Sequence, residues 1–175
     1  MPDTKNVLAQ GRPPRGRMHI LTMGVSDYRG SGLSDLVTPP RDAAQLAAKF
    51  AERGGQLYDI ASTKTLANAQ ASLGGIRREF ARLRTSDPDD VVTITLSGHG
   101  AMLDDGWHFI PHGGRIDGRG TTLSSAELLR EIDTLQPRRI VVILDACNSG
   151  GVIQDADWRG TTRREMEHDL EQVRR

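Results

Sequence analysis

Cysteine occurs once in this chain of 175 residues, as Cys147. One thiol excludes an internal disulfide and a thiolate-rich metal site, so the chain is not a secreted, stapled scaffold. An excess of either charge is also missing: 23 basic and 23 acidic side chains balance. That balance removes any general electrostatic pull toward nucleic acid or an anionic membrane. No apolar run approaches the roughly 20 residues of a membrane span, and no signal-type apolar segment follows the N-terminus. These absences give a cytoplasmic location by default. Internal repeats and low-complexity tracts are lacking as well.

What is present suits one globular domain, or a large part of one, with 37% hydrophobic and 26% charged residues. Residues 1–17 are polar and carry Pro13 and Pro14, reading as a flexible leader. Met18–Val25 is an apolar run rich in strand formers, predicting a buried strand. After a loop at Gly30, Ser31 and Gly32, a helix begins near Arg41 with Ala43, Leu46, Ala47 and Phe50 on one face. Gly54 and Gly55 stop it. A weaker strand is expected over Leu57–Ile60. Leu73, Ile76, Phe80 and Leu83 step at helical spacing and end before Asp87-Pro88. Val91–Leu96 is a second buried strand, and Trp107–Ile110 adds a short one. Ser124 and Glu127 form a capping box ahead of Leu128, Leu129, Ile132 and Leu135. Arg139–Leu144 is the third strong strand. Residues 152–175 are polar, with one helical pattern in Met166, Leu170 and Val173. Strands alternating with helices predict an α/β fold with a mainly parallel sheet.

In open α/β sheets, reactive groups gather beyond the carboxyl ends of the strands. Two of the three strong strands run into glycine-flanked reactive residues: His99 after one and Cys147 after the other. If those strands are neighbours, both side chains emerge on one edge. Imidazole is the usual base that converts a thiol into a nucleophilic thiolate near neutral pH. The flanking glycines let a substrate backbone approach and free N–H groups to hold an oxyanion. Taken singly, a cysteine is most often a small buried hydrophobe, and a histidine in a glycine turn is often structural. The paired pattern is what points to chemistry.

The string TLSGHG over residues 95–100 resembles the histidine motif of the caspase/metacaspase clan of cysteine peptidases, and LDACNSGG over 144–151 resembles its cysteine motif. PRDAAQL over 40–46 is similar to the start of the clan's first helix. The resemblance covers about residues 18–151 and implies a caspase-like three-layer sandwich. It also implies Cys147 as nucleophile, His99 as general base and acid, and the backbone N–H groups of Gly100 and Cys147 as an oxyanion hole. Metacaspase-like members line the S1 pocket with two aspartates, which here are Asp42 and Asp145. Two carboxylates favour a guanidinium or ammonium side chain at P1, so cleavage after Arg or Lys is expected. In structural terms alone, Asp42 would complement a helix dipole and Asp145 would be a hydrogen-bonding group at a strand end.

The departures from the family pattern also carry information. Asn148 replaces the histidine that usually follows the cysteine, which is not the catalytic base. Leu123, Ser124, Ser125 and Ala126 stand where calcium-dependent metacaspases carry an Asp-Asp pair, removing the carboxylates that would ligate a hard cation; no metal and no cofactor are expected. Asp104-Asp105 lies too close to His99 for that role and reads as a solvated turn. The clan's fold continues after the cysteine motif with strands and helices that residues 152–175 do not supply. The chain therefore reads as a large subunit, a processed fragment or a truncated product, with 152–175 leading toward a small subunit. Arg174-Arg175 would suit processing after basic residues. The expected partners are a protein or peptide substrate and a small subunit or second chain completing the sheet. An alternative is a catalytically silent caspase-like module that recruits partners through an exposed sheet edge. A nucleotide-binding α/β domain is disfavoured, because no Gly-rich fingerprint follows the first strand.

Overall fold

Four apolar or β-branched runs pair as parallel strands into one sheet, in the order β2 (Asp59–Ala67), β1 (Arg17–Gly24), β3 (Val91–Gly98), β7 (Arg139–Ala146). This computed structural model describes residues 16–116 and 121–146. A hairpin of β4 (Gly100–Leu103) and β5 (Gly106–Phe109), joined by the two-residue β6 (Leu123–Ser124), forms a second, antiparallel sheet. The helices are α1 (Pro39–Gly54), α2 (Leu73–Leu83) and α3 (Ser125–Asp133). The leader up to residue 15, Cys147, Asn148 and the helical pattern in 152–175 lie outside the described residues.

Alternation along the strands assigns the two faces of the sheet. Met18, Ile20 and Val91 pack with Ala47, Phe50 and Ala51 of α1. On the opposite face Leu21, Met23, Val92, Ile94 and Leu96 pack with Ile76, Phe80 and Leu83 of α2 and Leu128 and Ile132 of α3. The result is a helix–sheet–helix sandwich, consistent with a caspase-like fold. All eight residues of β3 are buried, as expected for a central parallel strand covered on both sides. Phe80 is fully buried, and truncating such a side chain to alanine costs about 3–5 kcal/mol. Ser72 caps α2 by accepting from Gly75 N–H at 3.3 Å, a contact worth about 1 kcal/mol.

Two elements differ from their sequence pattern. β2 runs nine residues, over Asp59–Ala67, where the sequence marks only Leu57–Ile60. As an edge strand it has Ser62, Thr63, Lys64 and Thr65 partly open to water, so its polar composition hides a strand that pairs with β1 throughout. β4 carries Gly100 and Ala101 and shows no alternation, yet it forms a hairpin with β5 across a turn at Asp104-Asp105. The capping box is half realised. Ser124 Oγ accepts from Glu127 N–H at 3.1 Å, while the Glu127 carboxylate takes Arg77 at 2.7 Å.

A buried acid locks the amino ends of β1 and β3. Asp90 accepts from Arg17 Nε at 3.1 Å and Nη2 at 3.0 Å, from His19 Nε2 at 3.0 Å, and from Asp87 N–H at 2.9 Å. Burial pushes the Asp90 carboxyl up, but the hydrogen bonds from Arg17, Asp87 N–H and His19 outweigh it and bring the group down to about 2. Its folded value lies below the ordinary value near 4, so the stabilisation is complete above about pH 4 and is lost as pH falls toward about 2. Asp90→Asn is expected to lower stability at pH 7 by about 2 kcal/mol in urea unfolding. The gap from the parent chain should shrink between about pH 4 and 2. A gap undiminished at pH 2 would show that ionisation of Asp90 contributes nothing.

Candidate active site

The strand order reverses between β1 and β3: the chain leaves β1 toward β2 on one side and returns as β3 on the other. In parallel sheets the crevice at such a reversal, beyond the carboxyl ends, is where ligands bind. His99 follows the last residue of β3, and β7 is the next strand, parallel and in register, with Gly98 opposite Ala146. Cys147 is the residue after Ala146 in the sequence, and it lies outside the described residues. The neighbouring strands required by the sequence argument are therefore present.

The loop between β1 and α1 sets the orientation of His99. The imidazole Nε2 lies 2.8 Å from the Ser34 carbonyl oxygen. A carbonyl only accepts, so Nε2 carries the proton and Nδ1 keeps the lone pair a general base needs. The Tyr28 ring meets the imidazole edge-on, with centroids 4.5 Å apart and planes at 60°. The Tyr28 hydroxyl accepts from His99 N–H at 2.8 Å and donates to the Ile110 carbonyl at 3.1 Å. A Cβ on Gly98 would lie 2.5 Å from that hydroxyl, so glycine is required before the histidine. The loop itself hangs on Asn68, whose Oδ1 accepts from Ser26 N–H at 2.8 Å and Asp27 N–H at 3.1 Å. Asn68 sits at φ 45°, a left-handed conformation asparagine tolerates. Arg29, hydrogen-bonded to Asp27, holds that carboxyl well below the usual carboxylate range.

Gly100 is half-buried and faces Phe109 across the hairpin. Ile110 N–H donates to His99 C=O at 2.9 Å, so His99 and Ile110 occupy a hydrogen-bonding pair position. Gly100 and Phe109 then form the alternate, non-bonded pair, and the Gly100 N–H points away from β5.

Of the two aspartates, Asp145 is tied directly to the site. It lies opposite Ser97 in the register of β3 and β7, and Ser97 Oγ donates to its Oδ2 at 2.9 Å. Gly24 is the partner of Ser97 on the other side. A Cβ at Gly24 would overlap the Pro39 carbonyl, so the start of α1 rests on the end of β1. Asp42 belongs to that first turn and thus to the same edge and the same face as Ser97 and Asp145; its carboxylate has Arg41 at 3.8 Å. Thr95, two residues before Ser97 on this face, is a buried hydroxyl with no hydrogen-bond partner among the described residues. Sequence reasoning missed Tyr28, Ser34 and Ser97. Tyr28 alone left a signal, as an aromatic residue in the first loop of a chain in which aromatics make up 4%.

The described residues thus form an α/β fold with a mainly parallel sheet, in which a glycine-flanked histidine lies beyond one strand and a cysteine follows the neighbouring strand in sequence. The caspase-domain family model matches residues 17–173, and the chain belongs to that family. A search of curated proteins finds no match. Among solved structures, the chain is similar to protein GSU0716 from Geobacter sulfurreducens, with 19% identity over 90% of this chain and a TM-score of 0.59. This chain spans 65% of the length of that structure. The likeness shows the shared fold. No helix among the described residues is long and apolar enough to cross a membrane.

Proposed function

We propose that this chain acts as a cytoplasmic metacaspase-like cysteine endopeptidase that cleaves after Arg or Lys through a Cys147–His99 dyad. The observation carrying the reading is the imidazole of His99, held by Ser34 in the tautomer that leaves Nδ1 free to take a thiol proton. In this reading Cys147 attacks the scissile carbonyl and His99 takes its proton, then delivers it to the leaving amine. The N–H groups of Gly100 and Cys147 stabilise the oxyanion. Asp145, steadied by Ser97, and Asp42 on the same face receive the basic P1 side chain. In this reading the sheet is completed beyond β7, which has no second strand partner among the described residues. Its Val141 and Ile143 stand 48% and 38% exposed on the α1 side of the sheet, beyond the strands that α1 covers.

The test is hydrolysis of fluorogenic peptides with P1 arginine, with calcium or with a chelator. Ser124 already uses its hydroxyl to cap α3, Ser125 is buried, and Glu127 is paired with Arg77. The start of α3 therefore offers a hard cation no free carboxylate. Cleavage is expected, with rates equal within about twofold in the two media, well short of the tenfold step that 1.4 kcal/mol of cation-linked stabilisation would give. A tenfold rise with calcium would reveal a cation site elsewhere. Absence of cleavage after any basic residue would favour a silent interaction module.

A further inference from the structure

We propose that Tyr28 is a positioning residue for the reaction, its hydroxyl acting as a wedge that sets where His99 sits; this rests on the peptidase reading above. The hairpin register is the starting point. His99 and Ile110 face each other at a hydrogen-bonding pair position, where two strands exchange two N–H···O=C bonds. One is made directly, from Ile110 N–H to His99 C=O at 2.9 Å. The other is replaced by the Tyr28 hydroxyl, which accepts from His99 N–H at 2.8 Å and donates to Ile110 C=O at 3.1 Å. A side-chain oxygen thus stands in the ladder and opens the hairpin at the residue that carries the imidazole.

The same tyrosine ring packs against the imidazole, and the same loop supplies the Ser34 carbonyl to Nε2. Backbone and ring of His99 are therefore both referenced to one loop. That loop is fixed in turn by Asp35 Oδ1, which accepts from Tyr28 N–H at 2.6 Å, and by Asn68. Tyr28 is 1% exposed, and burial pushes its phenol up to about 12 against the opposing pull of His99 N–H. The hydroxyl therefore keeps its proton for Ile110 at any working pH. Gly98 completes the arrangement by leaving room for the hydroxyl.

Removing only the hydroxyl lets His99 N–H close onto Ile110 C=O, pulling the histidine toward β5. A displacement on the order of 1 Å costs about 100-fold in rate. In the full chain, Tyr28→Phe is expected to lower kcat by about 10- to 100-fold while KM stays within about twofold, because no substrate contact is lost. Gly98→Ala, which crowds the same hydroxyl from the other side, should give the same split. A second readout is independent of turnover: in 15N-labelled protein the amide and imidazole nitrogen signals of His99 should shift in Tyr28→Phe, with those of His19 at the far end of β1 unmoved. Parental kcat in Tyr28→Phe, or unshifted His99 signals, would overturn the proposal. If the parent chain itself cleaves nothing, the peptidase reading falls and the nitrogen spectra still decide whether Tyr28 positions His99.

Discussion

Cys147→Ala is expected to reduce peptide hydrolysis by at least about 10⁴-fold, and His99→Ala by a similar factor. The thiol is the only one in the chain, so no neighbouring cysteine can take over. A nucleophile and its base act as one unit, and their contributions do not add. The double variant Cys147→Ala/His99→Ala should therefore be no slower than either single one. The measurement is kcat/KM on a P1-arginine peptide for all four proteins, with far-ultraviolet circular dichroism to establish that each is folded. Turnover by Cys147→Ala close to the parental rate would place the nucleophile elsewhere and end the assignment. A double variant much slower than both singles would show that His99 and Cys147 work in separate steps.

The second large effect concerns substrate choice. Asp145→Asn keeps the shape of the side chain and its bond from Ser97 Oγ but removes the charge. Losing one partner of a desolvated charge pair costs roughly 2–5 kcal/mol, on the order of 30- to 4000-fold in rate constant. The loss in kcat/KM should fall on P1 arginine and lysine, and leave P1 glutamine nearly unchanged. Asp42→Asn is expected to act in the same direction. Ser97→Ala should cost less, about tenfold, because the carboxylate stays charged and only its orientation is released. A fluorogenic series with Arg, Lys, Gln and Asp at P1 checks all four proteins. A parental preference for aspartate would move the pocket toward that of true caspases. An arginine preference surviving in both aspartate variants would return Asp42 to the helix dipole and Asp145 to a strand-end hydrogen bond.

Much of the frame could be read from residue order. β1, β3 and β7 announced themselves as short apolar runs, and α1, α2 and α3 by apolar steps of three and four, because each buries a face whose period is local. The exceptions have physical causes. β2 is an edge strand, so only part of it needs apolar residues, and Ser62 to Thr65 conceal it. β4 is held by its hairpin partner and has little core of its own to bury.

For the site, linear order alone settled that a histidine and the sole cysteine each follow a strong strand with glycine beside it, since local periodicity marks where strands end. Whether those strands are neighbours depends on pairing between segments some fifty residues apart, and no local pattern encodes it. The structure decided that β3 lies against β7 in register, with Ser97 reaching Asp145 across it. It also decided which nitrogen of His99 holds the proton, because the partner is a backbone carbonyl, Ser34, and a carbonyl group is the same for every residue type. Tyr28 belongs with these. Its hydroxyl matters through a gap between His99 and Ile110, 71 and 82 residues along the chain, and only folding brings the three together.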